Sequence, residues 1–314
     1  MKNQTAFLFS GQGSQYHGMA KELCERFPAA AQVLELAGDV LGYRLEDVMF
    51  PDSTNFDEDK LARTAFTQPA IFACSLCALA AARESGLDCG AVAGHSLGEY
   101  AALVAAGVLT AEEGFRVIKA RAQAMEKAAQ TAGGAMYAII GLPADEVEAV
   151  CAETDGYVTA VNYNSPVQTV IAGETEAAAR AAAAFTARKA KAMKLNVAAA
   201  FHSTLMQPAA DEFLAEIKGI AFRAPQAAFY SNVTGARLTD FADFPALMAR
   251  HIVSPVRFTA ELEALSAAGY TDFIELGPNK VLTGLVKKTL KTARALNIED
   301  SASLDKSLAA LAAE

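Results

Sequence analysis

Gly94-His95-Ser96-Leu97-Gly98 sets a hydroxyl between two glycines where a short apolar run, Ala91-Val92-Ala93, gives way to an Ala-rich helical stretch. That is the layout of a nucleophile elbow, a sharp strand-to-helix turn that exposes a serine oxygen. The glycines remove Cβ atoms where strand and helix nearly collide, and the first turn of the helix aims free N–H groups at charge developing beside Ser96. A serine hydroxyl is a weak nucleophile and needs a base within reach. The chain has four histidines, His17, His95, His202 and His251. His95 adjoins Ser96, and neighbours on a sharp turn point apart, which makes it a packing residue. His202 lies in an apolar stretch, residues 198–203, suited to a partly buried imidazole. Alone it reads as a core histidine; the elbow elsewhere in the chain raises it to candidate base.

A second glycine turn, Gly11-Gln12-Gly13-Ser14-Gln15, follows a strand-like run over residues 5–10. A dinucleotide fingerprint would need Gly or Ala where Tyr16 stands, and the Gly-Lys-Ser/Thr of a phosphate-binding loop is absent. What is left is a turn with open backbone N–H groups, either structural or one arm of an oxyanion hole. The five cysteines are an odd number scattered through apolar segments, which argues against a disulfide framework. Cys74 and Cys77 have the spacing of one buried helix face and no second pair or histidine cluster, so they read as core and no metal site is expected.

These groups need a scaffold. A chain of 314 residues suits one large domain with a small one inserted or appended. Apolar residues make up 53% and charged ones 20%, yet no apolar run approaches the ~18–20 residues of a membrane span. With no signal-peptide pattern at its start, the expectation is a soluble, cytoplasmic protein that needs no membrane. A net charge of −9 disfavours nucleic acid as a partner. Strand and helix signals alternate: a strand at 5–10, a helix from about 19 to 36, a polar loop at 51–60, and a helix opening at Thr67-Gln68-Pro69 with Thr67 as N-cap. After the elbow come helices at 100–108 and 111–130. From 134 to 198 the order is β-α-β-β-α-β, that of a ferredoxin-like unit. Strands and helices then resume, through Phe229–Val233 and Phe273–Leu276 to Gly277-Pro278-Asn279-Lys280.

Five motifs occur here in one order: Gly11-Gln12-Gly13-Ser14-Gln15, Gly94-His95-Ser96-Leu97-Gly98-Glu99, the Arg121 helix, Phe201-His202-Ser203 and Gly277-Pro278-Asn279-Lys280-Val281-Leu282. Over residues 5 to 290 the chain resembles the malonyl-CoA:acyl carrier protein transacylases. The resemblance implies an α/β fold, with an α/β-hydrolase-like catalytic domain over 1–133 and 199–314 and a ferredoxin-like insertion over 134–198. It makes Ser96 the acylated nucleophile and His202 its base, with the backbone N–H groups of Gln12 and Leu97 as the oxyanion hole. Arg121 would clamp the malonyl carboxylate, as suits a planar guanidinium. Gln68 and Asn162 match pocket-lining positions. Where many members carry glutamine, whose carbonyl supports the base, this chain has His251. If the support is that main-chain carbonyl, the side chain is nearly irrelevant; if a side-chain amide is needed, His202 loses its orientation. Ser10 also stands where a proline often precedes Gly11.

What the resemblance implies is a ping-pong transfer of malonyl from malonyl-CoA, a substrate rather than a cofactor, to the phosphopantetheine thiol of acyl carrier protein for fatty acid synthesis. No other cofactor is implied, and the enzyme is expected to be a monomer. Phe201 and Leu97 resemble malonyl-selective members. An acyltransferase serving polyketide assembly, an editing hydrolase and an idle carrier-protein docking module are the rivals; the last would require Ser96 or His202 to be lost. An acidic chain that meets an acidic carrier needs a local basic surface, for which Lys189, Lys191, Lys194, Lys280, Lys287 and Lys288 are the candidates.

Overall fold

The computed structural model describes residues 4–197 and 199–313; the expected segment boundary at Ala198 and the first three residues lie outside them. Among the described residues ten strands form two sheets: β1 (Thr5–Phe9), β2 (Ala91–Gly94), β3 (Ala135–Ile140), β4 (Val158–Ser165), β5 (Gln168–Gly173), β6 (Lys191–Lys194), β7 (Ala228–Ser231), β8 (Ala236–Arg237), β9 (Asp272–Leu276) and β10 (Arg294–Ile298). The larger sheet runs β10-β9-β1-β2-β7-β8, parallel throughout except for the β7–β8 pair. All five residues of β1 are buried, as a central parallel strand covered by helices on both faces requires. The fold is thus mixed α/β, with a parallel-rich sheet and a separate antiparallel one.

The antiparallel sheet runs β4-β5-β3-β6. Along β3 the side chains alternate. Ala135 and Ile139 pack with the helices Ala144–Glu153 and Thr175–Ala187, while Met136 and Ala138 join the main core. The second face thereby roofs the region above the parallel strands. A pair of hydrogen bonds, Tyr163 N–H to the Val256 carbonyl and Val256 N–H to the Val161 carbonyl, ties β4 to the segment after the helix Phe244–Val253.

Two expected helices start or break elsewhere. The helix expected over 19–36 is two, Lys21–Arg26 and Pro28–Leu41, because Phe27 precedes a proline and adopts extended backbone. Thr67 is not an N-cap: the helix begins at Thr64 and carries Pro69 inside it. Its start is held from a distance, since Glu126 accepts from the Ala65 N–H and the Thr67 hydroxyl donates to the Leu61 and Arg63 carbonyls. This helix, Thr64–Glu84, is also long and apolar enough to span a bilayer, contrary to the expectation that no segment is; 83% of its most apolar window is buried inside the protein. Cys74 and Cys77 lie buried on it. The helices Phe258–Ala267 and Val281–Thr289 and the strands β8 and β10 had no counterpart in the sequence reading.

Candidate active site

Ser96 follows β2, Gln12 follows β1, Leu282 follows β9 and Asn232 follows β7, so the loops at the carboxyl ends of four adjacent parallel strands converge on one place. The turn at Ser96 is as tight as its glycines suggest. A Cβ at Gly94 would lie 2.1 Å from the Gly98 carbonyl carbon, and one at Gly98 would lie 1.9 Å from the Phe9 oxygen. Ser96 itself has φ of 52°, the left-handed region that a β-carbon disfavours. Strain of this kind persists only where the surroundings fix it.

Hydrogen-bond chemistry settles where the protons sit. The Nδ1 of His202 lies 3.1 Å from two main-chain carbonyls, those of His251 and Ser254, which only accept. Nδ1 therefore carries the proton, and the bare Nε2 faces the Ser96 Oγ at 2.6 Å. Ser96 donates to His202 and accepts from Arg121 Nη2 at 3.1 Å. This is a hydroxyl whose proton already points at the imidazole. His251 thus supports His202 with its carbonyl, and a histidine side chain at that position leaves the contact intact.

Arg121 comes from the helix Ala111–Ala132, whose start is fixed by a reciprocal cap between Thr110 and Glu113. Gly114 lets this helix approach Phe72, whose ring would lie 2.6 Å from a Cβ there. The guanidinium is 1% exposed and sits 5.0 Å from the Tyr100 ring centroid. Among the described residues it has no carboxylate within ion-pair distance, and its buried Nε has no hydrogen-bond partner. The nearby Glu99 is a weak counter-charge, because burial pushes its carboxyl well above the ordinary carboxylate range, up to about 8. A buried cation of this sort is costly unless an anion meets it.

The cavity above these groups has a volume of about 400 Å³ and is lined by Gln12, Ser96, Arg121, Asn162 and His202, with Met136 and Val170 of the small sheet as its roof. Asn162 presents a buried Oδ1 without a partner among the described residues. Gln68 is fully buried and is not part of the lining; its Nε2 donates to the Sδ of Met125, which is. His95, read as packing, sets its ring edge to face against Phe258 and bonds Asn164 at 2.7 Å. Ser10, where a proline is often found, donates to the buried Glu275, which also accepts from the Leu282 and Thr283 N–H groups and so anchors the loop after β9. Burial, then the charge of Arg121, holds His202 down at about 3.

A polar layer beneath the turn escaped the sequence reading. Asn232 Oδ1 accepts from the Ser96 N–H at 2.7 Å, and its Nδ2 donates to the Gly94 carbonyl and to Glu261. Glu99 accepts from the Ser231 hydroxyl and the Asn232 N–H. The available signal was a polar pair, Ser231-Asn232, at the end of an apolar strand, and the Glu99 that closes the elbow motif.

Comparison with known proteins agrees with this geometry. The model of the acyl transferase domain family matches residues 6–308. The malonyl CoA-acyl carrier protein transacylase of Bacillus subtilis is 36% identical over 99% of this chain and 98% of its own length. That of Salmonella typhimurium is 38% identical over 97% and 99%. The crystal structure of the malonyl CoA-acyl carrier protein transacylase from Clostridium perfringens superposes with a TM-score of 0.94 at 35% identity, covering 98% of this chain and 97% of that one. A malonyl-transacylase solved in complex with its type II PKS acyl-carrier protein gives 0.92 at 38% identity, with 98% and 99% covered. With an elbow serine, a paired histidine and a buried arginine on the matched fold, the chain belongs to the malonyl CoA-acyl carrier protein transacylase family of acyltransferases.

Proposed function

We propose that this protein carries a malonyl group from coenzyme A to the phosphopantetheine thiol of an acyl carrier protein through an ester on Ser96. The observation that carries the reading is the buried, carboxylate-free Arg121 hydrogen-bonded to the same Ser96 oxygen that faces His202. A simple ester hydrolase has no use for such a cation, whereas an acyl group ending in a carboxylate does. In the first half-reaction Ser96 Oγ bonds to the thioester carbon and its proton passes to His202 Nε2. The C–S bond then breaks, and the proton leaves with the CoA sulfur. In the second, the carrier thiol gives its proton to His202, its sulfur takes the acyl carbon, and the Ser96 oxygen recovers the proton. The N–H groups of Gln12, which lines the cavity, and of Leu97, next to Ser96, serve the tetrahedral oxyanion; among the described residues neither donates to another protein group. His251 and Ser254 hold the imidazole tautomer, so no third carboxylate is needed. Asn162, whose buried Oδ1 in the lining has no partner among the described residues, bonds the substrate in this reading.

The same reading treats the unit built from β3 to β6 as a ferredoxin-like insertion in an α/β-hydrolase-like domain, supported by its strand order and its separate apolar cluster. It also places the enzyme in the cytoplasm. The direct test is intact-protein mass after mixing with malonyl-CoA. One malonyl increment is expected, on the Ser96 peptide, and it should disappear when carrier protein is added. No adduct, or one mapped elsewhere, refutes the mechanism.

Carrier docking is assigned to the lysines named above, all of them exposed. Lys194 lines a groove that shares Gln12 and Phe201 with the cavity, and Lys280 precedes Val281 at its mouth. Reversing two of these charges is expected to raise KM for the carrier protein and alter its salt dependence while leaving loading from malonyl-CoA unchanged. Equal effects on both half-reactions would remove the patch from the docking surface.

A further inference from the structure

Asn232 is completely buried, and every hydrogen-bonding position of its amide is used. The orientation is forced. The Ser96 N–H can only donate, so Oδ1 faces it at 2.7 Å; the Gly94 carbonyl can only accept, so Nδ2 faces that at 2.6 Å. Oδ1 also lies 3.1 Å from His251 Nε2, which must therefore be the protonated nitrogen of a neutral imidazole, and Nδ2 donates to Glu261 at 2.7 Å. Among the described residues, the N–H of the strained Ser96 has no other acceptor. One side chain thus grips both arms of the nucleophile turn and the residue whose carbonyl orients the base.

We propose that Asn232 is a positioning residue that locks the Ser96 turn and the His251–Ser254 segment into one register, and so sets the Ser96–His202 contact. It acts through those neighbours and touches no reacting atom. The inference rests on the Ser96–His202 reading above and deepens it. An amide is required because the site needs an acceptor toward Ser96 and His251 and two donors toward Gly94 and Glu261. An ionised carboxylate offers acceptors only, and it would face Glu99, Glu261 and the His251 ring, with Arg121 acting on the same cluster through Glu99. A protonated carboxyl restores an acceptor and one donor.

Asn232→Ala and Asn232→Asp in the full chain separate this role from plain stability. Single-turnover loading by malonyl-CoA, followed by quench and mass, should slow about a hundredfold in Asn232→Ala, with KM for malonyl-CoA little changed, as for a reacting pair displaced by about an ångström. Asn232→Asp keeps the shape and should load best at acidic pH, losing activity as pH rises and the new carboxyl ionises, over a range where wild type holds steady. Should the alanine variant fail to fold, the aspartate profile decides alone. A folded Asn232→Ala that loads at the wild-type rate, or an Asn232→Asp with the wild-type pH profile, overturns the proposal. A wild-type protein that never loads would instead refute the parent mechanism.

Discussion

Ser96→Ala mixed with malonyl-CoA keeps its unmodified mass, and His202→Ala gains the malonyl increment about a thousandfold more slowly than wild type, as expected for loss of a general base. The first result follows because the elbow presents no other hydroxyl; the second, because among the described residues Nε2 is the acceptor that faces the Ser96 proton. The pH dependence is distinctive. His202 must be unprotonated to act, and in the free enzyme it is held down to about 3 against an ordinary 6.5, by burial first and by Arg121 next. The acid limb of kcat/KM should therefore lie well below the usual histidine range. Stability behaves differently: the unfolded chain takes up this proton below about 6.5 and the folded one does not, so this group erodes stability as pH falls from 6.5 toward 3. Loading rate per folded molecule, measured beside a melting curve, separates the two. An acid limb at 6.5 in a fully folded sample would sink the assignment of an unprotonated, buried base, as would a malonyl adduct on Ser96→Ala.

Much of this site is legible in the sequence because its demands are local. Gly94 and Gly98 are where a Cβ would strike backbone, and a five-residue pattern records that directly. The β-α-β-β-α-β order of the small sheet is likewise local, since each element has its own period and length. What stayed hidden depends on partners far along the chain. The start of the helix Thr64–Glu84 is set by Glu126, so no cap residue near Thr64 announces it. Asn232 bonds Ser96, which is 136 positions away, and reads in sequence as an ordinary polar residue at a strand end. The helix Val281–Thr289 is held at its start by Glu275, a carboxylate buried at the end of β9, rather than by a serine or aspartate at the cap itself. The His251 question could be posed from sequence but not answered there, because its answer lies in which atom of His251 faces the base.

Arg121→Ala is expected to change which acyl group is accepted more than whether one is. In wild type the guanidinium is buried, bonds Ser96, lies over Tyr100's ring face, and among the described residues has no carboxylate of its own. In the proposed reaction a malonyl group supplies that carboxylate. Pairing would also cancel the positive charge that helps hold His202 down, so the substrate that satisfies Arg121 makes its own base stronger. Removing the arginine leaves the malonyl carboxylate desolvated and unpaired, a loss of about 3–5 kcal/mol, or some hundreds-fold or more in kcat/KM. Acetyl-CoA has no carboxylate to strand. Its loading should fall far less, and a rise is consistent with relieving it of a bare guanidinium beside its methyl group. Parallel loading of wild type and variant with malonyl-CoA and acetyl-CoA, read by mass, gives the ratio directly. If both substrates lose the same factor, Arg121 serves only to place the Ser96 hydroxyl, and the preference for a carboxylate-bearing acyl group must come from elsewhere in the cavity.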